Sequence, residues 1–222
     1  VSGKSLYLDR NGFLKITRED GTPLMTGCDE MTISYYSKVE EQDIEWTLFL
    51  AAEEGAQKVG KERYVGIMDG LGQTIVERYH NTGSRPSRIA AANNKGSQWK
   101  HVVVVLEDGM TTLYVDGEKI ACLRSSYGLS ELTGDGSILQ VGKANWGGGE
   151  FFRGYIDEMT IWGTALSSQE VDAYLAQRTP TPTPPEEPLV FEDVHEDDWF
   201  YESVNYVSKK GIMTGMKEGI FN

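Results

Sequence analysis

One short segment of the chain carries the side chains that proteins use to hold sugars. Residues 77–81 read Glu-Arg-Tyr-His-Asn. Aromatic rings stack on the apolar C–H faces of a sugar, while guanidinium, amide and carboxylate groups hydrogen-bond its hydroxyls. Because alternate residues of a strand share a face, Tyr79 and Asn81 point one way and Arg78 points the other. The segment therefore predicts a carbohydrate-binding strand.

A second candidate is Trp146, which lies in the run Asn-Trp-Gly-Gly-Gly. A large ring among glycines has little to pack against, so we expect it to be exposed and to line a glycan site with Arg78, Tyr79 and Asn81. Two further rings are candidates, Tyr36 and Trp46. The alternative for the rings on strands is packing in a core or on a sheet face, which is the commoner fate of aromatic residues. Two other tryptophans, Trp99 and Trp162, are interpreted as core residues.

The pattern of carboxylates argues against an enzyme. Glycosidases need two carboxylates at a definite separation across the sugar. Glu77 stands by itself on its predicted strand, and Asp157 is followed directly by Glu158 on another. His80 and His101 have no serine or cysteine nucleophile signature nearby. We therefore predict no catalytic residues.

Composition excludes two classes of partner. The 222 residues carry a formal net charge of −13, which repels nucleic acid and anionic membranes. No run of 18 apolar residues is present, so we expect no membrane insertion. The first residues lack a signal-peptide core, and we expect the chain to be a piece of a longer secreted polypeptide. Cys28 and Cys122 either form a disulfide or remain thiols, and the sequence leaves both open.

Short apolar runs separated by turn residues predict an all-β sandwich over most of the chain. The predicted strands are residues 6–8, 13–16, 31–38, 46–51, 64–68, 74–80, 99–106, 111–115, 119–123, 137–141 and 154–162. The tight-turn signal in residues 9–12 predicts that the first two strands form a hairpin. Ser167 and Glu170 form a capping-box pair that predicts a closing helix. Alternating prolines in residues 178–188 predict an extended linker. The predicted domains are thus residues 1–177 and 189–222.

Several segments of the first domain resemble the laminin-G-like, concanavalin A-like superfamily. They are residues 3–9, 31–36, 98–102, 113–117, 152–158 and 165–171. The resemblance implies a jelly-roll sandwich of two curved sheets with one concave face. It also implies a calcium site, because an aspartate at the position of Asp157 often binds calcium in the family and the chain's beginning lies beside it. Asp9 would then supply a second carboxylate and Asn11 or Gly12 a carbonyl. The alternative is that Asp9 only forms a turn and that Asp157 only caps backbone amides.

The final residues resemble the opening of an S-layer homology repeat, a module that tethers bacterial surface proteins to cell-wall polysaccharide. The resemblance rests on the spacing of Phe191, Trp199, Val204, Gly211, Gly215, Gly219 and Phe221. In that family the polymer ligands lie in a later segment, and repeats work in sets of three. We therefore expect this short segment to be loosely ordered or docked on a neighbour rather than to anchor alone.

Together these observations predict a non-catalytic carbohydrate-binding module of an extracellular bacterial surface protein. Its expected partners are a polysaccharide or oligosaccharide and, through complete S-layer homology repeats, the cell-wall polymer. The parent protein is expected to be a multidomain glycosidase. The alternative is a calcium-stabilised structural or adhesive spacer with a protein ligand or none.

Overall fold

The computed structural model describes residues 4–25, 28–40, 45–51, 63–80, 97–134, 138–144 and 150–178, residues 87–92 by their backbone, and six positions between 194 and 204. It divides the chain into two compact units, residues 1–172 and 173–222. The strands are β1 Leu6–Asp9, β2 Leu14–Lys15, β3 Met31–Val39, β4 Glu45–Ala51, β5 Arg63–Asp69, β6 Gln73–His80, β7 Ser87–Ala92, β8 Lys100–Glu107, β9 Met110–Val115, β10 Glu118–Arg124, β11 Ile138–Val141 and β12 Arg153–Trp162. The helices are α1 Leu129–Thr133 and α2 Ser168–Arg178.

In the described residues, twelve strands form two antiparallel sheets of six. The first sheet has the order β1-β12-β3-β8-β9-β10, and the second has the order β2-β11-β4-β5-β6-β7. Each strand turns alternate residues toward the other sheet, and these inward residues form one apolar core. Among the core residues are Leu8, Ile33, Leu48, Val65, Val104, Leu113, Val141 and Ile156. Full burial of each large aliphatic side chain contributes about 1.5–3 kcal/mol.

A charged network lies inside this core. Asp69, at the end of β5, is fully buried and lies 2.8 Å from the ammonium of Lys100 on β8. Hydroxyl groups donate further hydrogen bonds to the same carboxylate from Tyr35, Ser37, Thr47 and Thr74. Burial raises the pKa of Asp69, but Lys100 and the donors outweigh it and hold the pKa below its usual range. The network therefore ties strands of both sheets together through one carboxylate.

The predicted sandwich is confirmed, and the predicted strands are present with shifts of at most one residue at each end. The predicted closing helix is also confirmed: the backbone N–H of Ser167 donates to Glu170, and the backbone N–H of Glu170 donates to the Ser167 hydroxyl. One interpretation was wrong. Residues 6–8 and 13–16 do not form a hairpin, because β1 pairs with β12 and β2 pairs with β11 of the other sheet.

The remaining predictions about the chain have different outcomes. Cys28 and Cys122 are both free thiols in the structure. Within the described residues, none of the helices is long and apolar enough to cross a membrane.

Nearly all of the predicted linker, residues 178–188, lies outside the described residues. In the second unit, Asp198 accepts a hydrogen bond from the backbone N–H of His195, and Val204 is buried. The expected loose order of this segment stays a prediction.

Candidate functional site

Arg78 does not lie at the protein surface. Its side chain points between the sheets and is 2% exposed. The guanidinium donates to the Thr111 hydroxyl and to three backbone carbonyls, those of Glu107, Met110 and Tyr127. Desolvation lowers the pKa of Arg78 to about 10. The predicted role of Arg78 in sugar binding was wrong, because its donors already have partners inside the fold.

Tyr79 lies on the opposite side of β6, on the outer face of the second sheet. It belongs to a group of rings that we call the buried aromatic cluster, formed by Trp46, Phe49, Tyr64 and Tyr79. The rings contact one another in sequence: Tyr79 stacks on Tyr64 at 5.1 Å, and Tyr64 lies 5.7 Å from Trp46. Phe49 is 1% exposed and Trp46 is 5% exposed, whereas Tyr79 is half-buried. Most of this cluster is therefore packing, as the alternative interpretation of these rings held.

The sequence makes room for this cluster at one glycine. Gly66 lies between Phe49 and Glu77 in the strand register, and the indole of Trp46 lies against it. A Cβ atom at Gly66 would come within 2.1 Å of the Trp46 ring. The indole N–H of Trp46 donates to Glu150. The Trp46 ring is thus held by its contact with Gly66 and by its hydrogen bond to Glu150. It does not offer an open ring face to a ligand.

The other two members of the predicted site cannot be placed beside Tyr79. Asn81 and Trp146 lie outside the described residues. Tyr36 lies on the outer face of the first sheet, where its ring stacks on His101 at 4.4 Å. Tyr36 and Tyr79 therefore belong to opposite faces of the sandwich and cannot contact one bound sugar ring.

The outer face of the first sheet carries a second set of rings near Tyr36. Tyr7 of β1 pairs with Tyr155 of β12, and Tyr155 pairs with Lys38 of β3. Ser37 of β3 pairs with Lys100 of β8. Because these strands are antiparallel, the same register places Lys38, which follows Ser37, beside Trp99, which precedes Lys100. We call this group, Tyr7, Tyr155, Lys38 and Trp99, the aromatic row.

The rings of the aromatic row contact one another and are partly accessible to solvent. The ring centroids of Tyr7 and Tyr155 are 4.7 Å apart, and those of Trp99 and Tyr155 are 6.1 Å apart. The Lys38 ammonium lies 5.5 Å from the centroid of the Tyr155 ring, a cation–π distance. Tyr7 is 43% exposed, and Tyr155 and Trp99 are half-buried. The core interpretation of Trp99 was wrong, because alternation turns this residue outward while Lys100 points inward.

Polar groups border the aromatic row on one side. The hydroxyl of Tyr7 donates to Glu40 at 3.0 Å, and the guanidinium of Arg153 lies 3.7 Å from the same carboxylate. Tyr7 and Glu40 raise the pKa of Arg153, so this residue stays a cation. On the other side, the register places Asp157 beside Tyr36. The face thus offers apolar rings flanked by hydrogen-bonding groups of both charges.

The predicted calcium ligands do not converge. Asp9 of β1 pairs with Arg153 of β12, and Asp157 lies four residues farther along β12 than Arg153. This offset of four residues separates the two aspartates by about 13 Å along the strands. The carboxylate of Asp9 accepts hydrogen bonds from the backbone and side chain of Asn11, which lower the pKa of Asp9. Among the described residues, no group of three or more His, Cys, Asp or Glu could hold a metal ion.

One serine and one histidine lie close together on the first sheet. The Ser34 hydroxyl and the Nε2 atom of His101 are 2.7 Å apart, and the backbone N–H of His101 donates to Asp116. A nucleophilic serine must reach its substrate, but Ser34 is fully buried. The Asp116 contact is also made to the backbone of His101 rather than to its ring. This trio therefore positions strands and is not built as a hydrolytic triad.

Known proteins share both parts of the chain. Residues 12–172 match the model of the concanavalin A-like lectin/glucanases superfamily, and residues 190–222 match that of the S-layer homology domain. Over 101 residues, the chain is 25% identical to adhesion G-protein coupled receptor V1 of Danio rerio. That match covers 44% of this chain and 2% of the receptor.

Solved structures with the same fold include domains of bacterial glycan-processing proteins. One is the CBM40 domain of the Ruminococcus gnavus IT-sialidase, with a TM-score of 0.65 and 18% identity over 78% of this chain and 97% of that one. Another is domain 4 of AbnA, an extracellular GH43 arabinanase of Geobacillus stearothermophilus, with a TM-score of 0.60 and 20% identity over 79% of this chain and 77% of that one. At these identities the likeness is one of fold, and it agrees with the predicted jelly roll. The chain therefore belongs to the concanavalin A-like lectin/glucanases superfamily through residues 12–172 and carries an S-layer homology domain at residues 190–222.

Proposed function

We propose that the sandwich is a non-catalytic carbohydrate-binding module of an extracellular bacterial surface protein, and that it binds its glycan at the aromatic row. The S-layer homology domain supports attachment of the parent protein to the cell-wall polymer. A multidomain glycosidase is the proposed parent, because a binding module next to a catalytic domain keeps that domain close to its polysaccharide. The observation that carries the proposal is the set of contacting, partly exposed rings on the first sheet.

The aromatic row has the physical properties of a sugar platform. Sugars bind by laying an apolar C–H face on an aromatic ring, so the ring must be open to solvent before binding. Tyr7 meets this condition, and the half-buried Tyr155 and Trp99 meet it in part. The three residues lie on β1, on β12 and immediately before β8. Strand pairing holds their backbones in place, so little conformational freedom is lost when a ligand binds. Rigid placement on a sheet is also more exact than placement on a loop.

Ligands of the structural relatives support the same class of partner. The Ruminococcus gnavus module has been solved with α2,3- and α2,6-sialyllactose, and the arabinanase domain has been solved with arabinotriose. Two domains of this architecture have thus been solved with a bound oligosaccharide. The relatives differ in their sugars, so the choice of glycan must come from the side chains of each site.

The experiment compares one ring from each face. Tyr155→Ala removes the central ring of the aromatic row, and Tyr79→Ala removes a half-buried ring of the buried aromatic cluster as a matched control. Binding of the full chain to a panel of neutral and acidic polysaccharides is measured by affinity electrophoresis. We expect Tyr155→Ala to weaken binding about tenfold or more and Tyr79→Ala to leave it within about twofold.

Two results would overturn this assignment. Equal binding by the parent and Tyr155→Ala would remove the aromatic row as the site. Binding of no polysaccharide by the parent would favour the alternative function, a structural or adhesive spacer with a protein ligand or none.

A further inference from the structure

The aromatic row contains a cation that has no anionic partner among the described residues. The ammonium of Lys38 lies over the Tyr155 ring, and none of the described carboxylates comes within ion-pair distance of it. Other cations near this face are differently placed. Arg153 lies 3.7 Å from Glu40, and the buried ammonium of Lys100 lies 2.8 Å from Asp69. Among these described cations, Lys38 is thus the one that remains available to an incoming group.

The surroundings of Lys38 strengthen the attraction of its ammonium for an anionic group. The side chain is half-buried between the positions of Tyr155 and Trp99, so its charge is less screened than that of a fully exposed lysine. Its ammonium has three donors, and a ring face accepts none of them as a conventional hydrogen bond. Across the chain acidic residues outnumber basic ones by 34 to 21, yet the middle of the aromatic row is occupied by a lysine.

We propose that the aromatic row binds an acidic saccharide whose carboxylate pairs with the Lys38 ammonium while its sugar ring stacks on Tyr155. This inference rests on the proposed function and names the class of glycan for the same site. A charge-assisted hydrogen bond between ammonium and carboxylate is roughly twice as strong as a neutral one. Arg153 and Glu40, at the border of the row, then contact hydroxyls of the same or the next sugar.

The stacking geometry limits how the saccharide lies. The centroids of Tyr7 and Tyr155 are 4.7 Å apart, and that of Trp99 is 6.1 Å from Tyr155 on the other side. Lys38 and Tyr155 are direct cross-strand partners, so a group above the ammonium is also beside the ring. A carboxylate attached directly to a sugar ring reaches Lys38 without leaving the stack. A neutral sugar fills the same space but leaves the ammonium without a charged partner.

The test uses matched acidic and neutral probes. Uronic-acid and sialic-acid polysaccharides are each compared with their own carboxyl-reduced form, which keeps the backbone and linkage but lacks the charge. Calorimetry of the full chain is run at about 0.15 M salt, where the Debye length of about 8 Å screens the protein's overall charge. We expect at least one acidic polysaccharide to bind about tenfold or more tightly than its reduced form.

Variants separate the role of Lys38 from that of the rings. Lys38→Met keeps the aliphatic stem and is expected to bring the affinity ratio of acidic to reduced probe close to one while the reduced probe still binds. Lys119→Met changes an exposed lysine on β10 of the same sheet and is expected to leave the ratio unchanged.

The outcomes distinguish this inference from the proposed function. Equal or tighter binding of the reduced probes overturns the acidic class but leaves carbohydrate binding intact. If Lys38→Met still binds the acidic probe more tightly than its reduced form, Lys38 is not the residue that pairs with the carboxylate. Failure of the parent to bind any probe, acidic or reduced, contradicts the proposed function itself.

Discussion

The two outer faces of the sandwich carry similar aromatic residues in different environments. On the second sheet, Trp46, Phe49 and Tyr64 are almost completely buried and contact each other edge to face or tilted. On the first sheet, Tyr7 and Tyr155 also contact each other, but their rings reach solvent. Residue type alone therefore does not separate packing from binding. Trp46, Phe49 and Tyr64 are buried in packing, whereas Tyr7 is exposed. We therefore expect substitutions of these three buried rings to reduce stability and substitutions in the aromatic row to reduce affinity.

The largest expected effect is on the buried face. Phe49→Ala removes a ring that is 1% exposed, and we expect the free energy of unfolding to fall by about 3–5 kcal/mol. Tyr7→Ala on the aromatic row is expected to lower it by less than about 1 kcal/mol, because that ring is 43% exposed. Urea denaturation of both variants measures the difference. Similar losses for the two variants would contradict the distinction between the faces.

The core between the faces gives the second prediction, which concerns Asp69. Asp69→Asn leaves the ammonium of Lys100 buried without a charged partner, and we expect a loss of roughly 3 kcal/mol at neutral pH. The lowered pKa of Asp69 means that the carboxylate stabilises the parent fully above the unfolded value of about 4 and loses this effect as pH falls through the folded value. The difference in stability between the variant and the parent should therefore shrink progressively as pH falls below about 4. Urea denaturation from pH 7 to pH 3 measures both, and a difference that stays constant across this range would exclude the role given to Asp69.

The smallest effect concerns calcium, which we retain as a proposal from the family resemblance. Because about 13 Å separates Asp9 from Asp157 along the strands, the two carboxylates cannot bind one ion. We therefore expect at most one of Asp9→Asn and Asp157→Asn to change the shift in Tm that calcium produces, by a few degrees at most. Thermal unfolding with calcium and with a chelator measures the shift. Loss of the calcium response in both single variants would show that the two residues act as one site.

The fold could be predicted from the sequence because its signal is repeated in almost every strand. Apolar runs bounded by turns specify strands, and the pairing of central strands β8 and β9 follows from a short connection. The strand β7 was missed because its sequence, Ser-Arg-Ile-Ala-Ala-Ala, contains one β-branched residue and three alanines, which are depleted in strands.

The site was harder to predict because it depends on register and on which side of a strand faces the core. The alternation of side chains along a strand correctly predicted that Arg78 and Tyr79 lie on opposite faces of the sheet. It does not indicate which of the two faces the core. The predicted neighbourhood of Asp157 and the chain's beginning is confirmed at the level of strands, since β1 pairs with β12. The aromatic row was missed because its members come from residues 7, 38, 99 and 155, and only pairing across four strands brings them together.

Glycan binding by the aromatic row of the first sheet is best tested with the dissociation constants of Tyr155→Ala, Tyr79→Ala and the parent chain for one polysaccharide. Relative to the parent, we expect the dissociation constant to rise about tenfold or more in Tyr155→Ala and to stay within about twofold in Tyr79→Ala. The reverse order, with Tyr79→Ala weakened and Tyr155→Ala unchanged, would place the site on the second sheet and exclude the aromatic row.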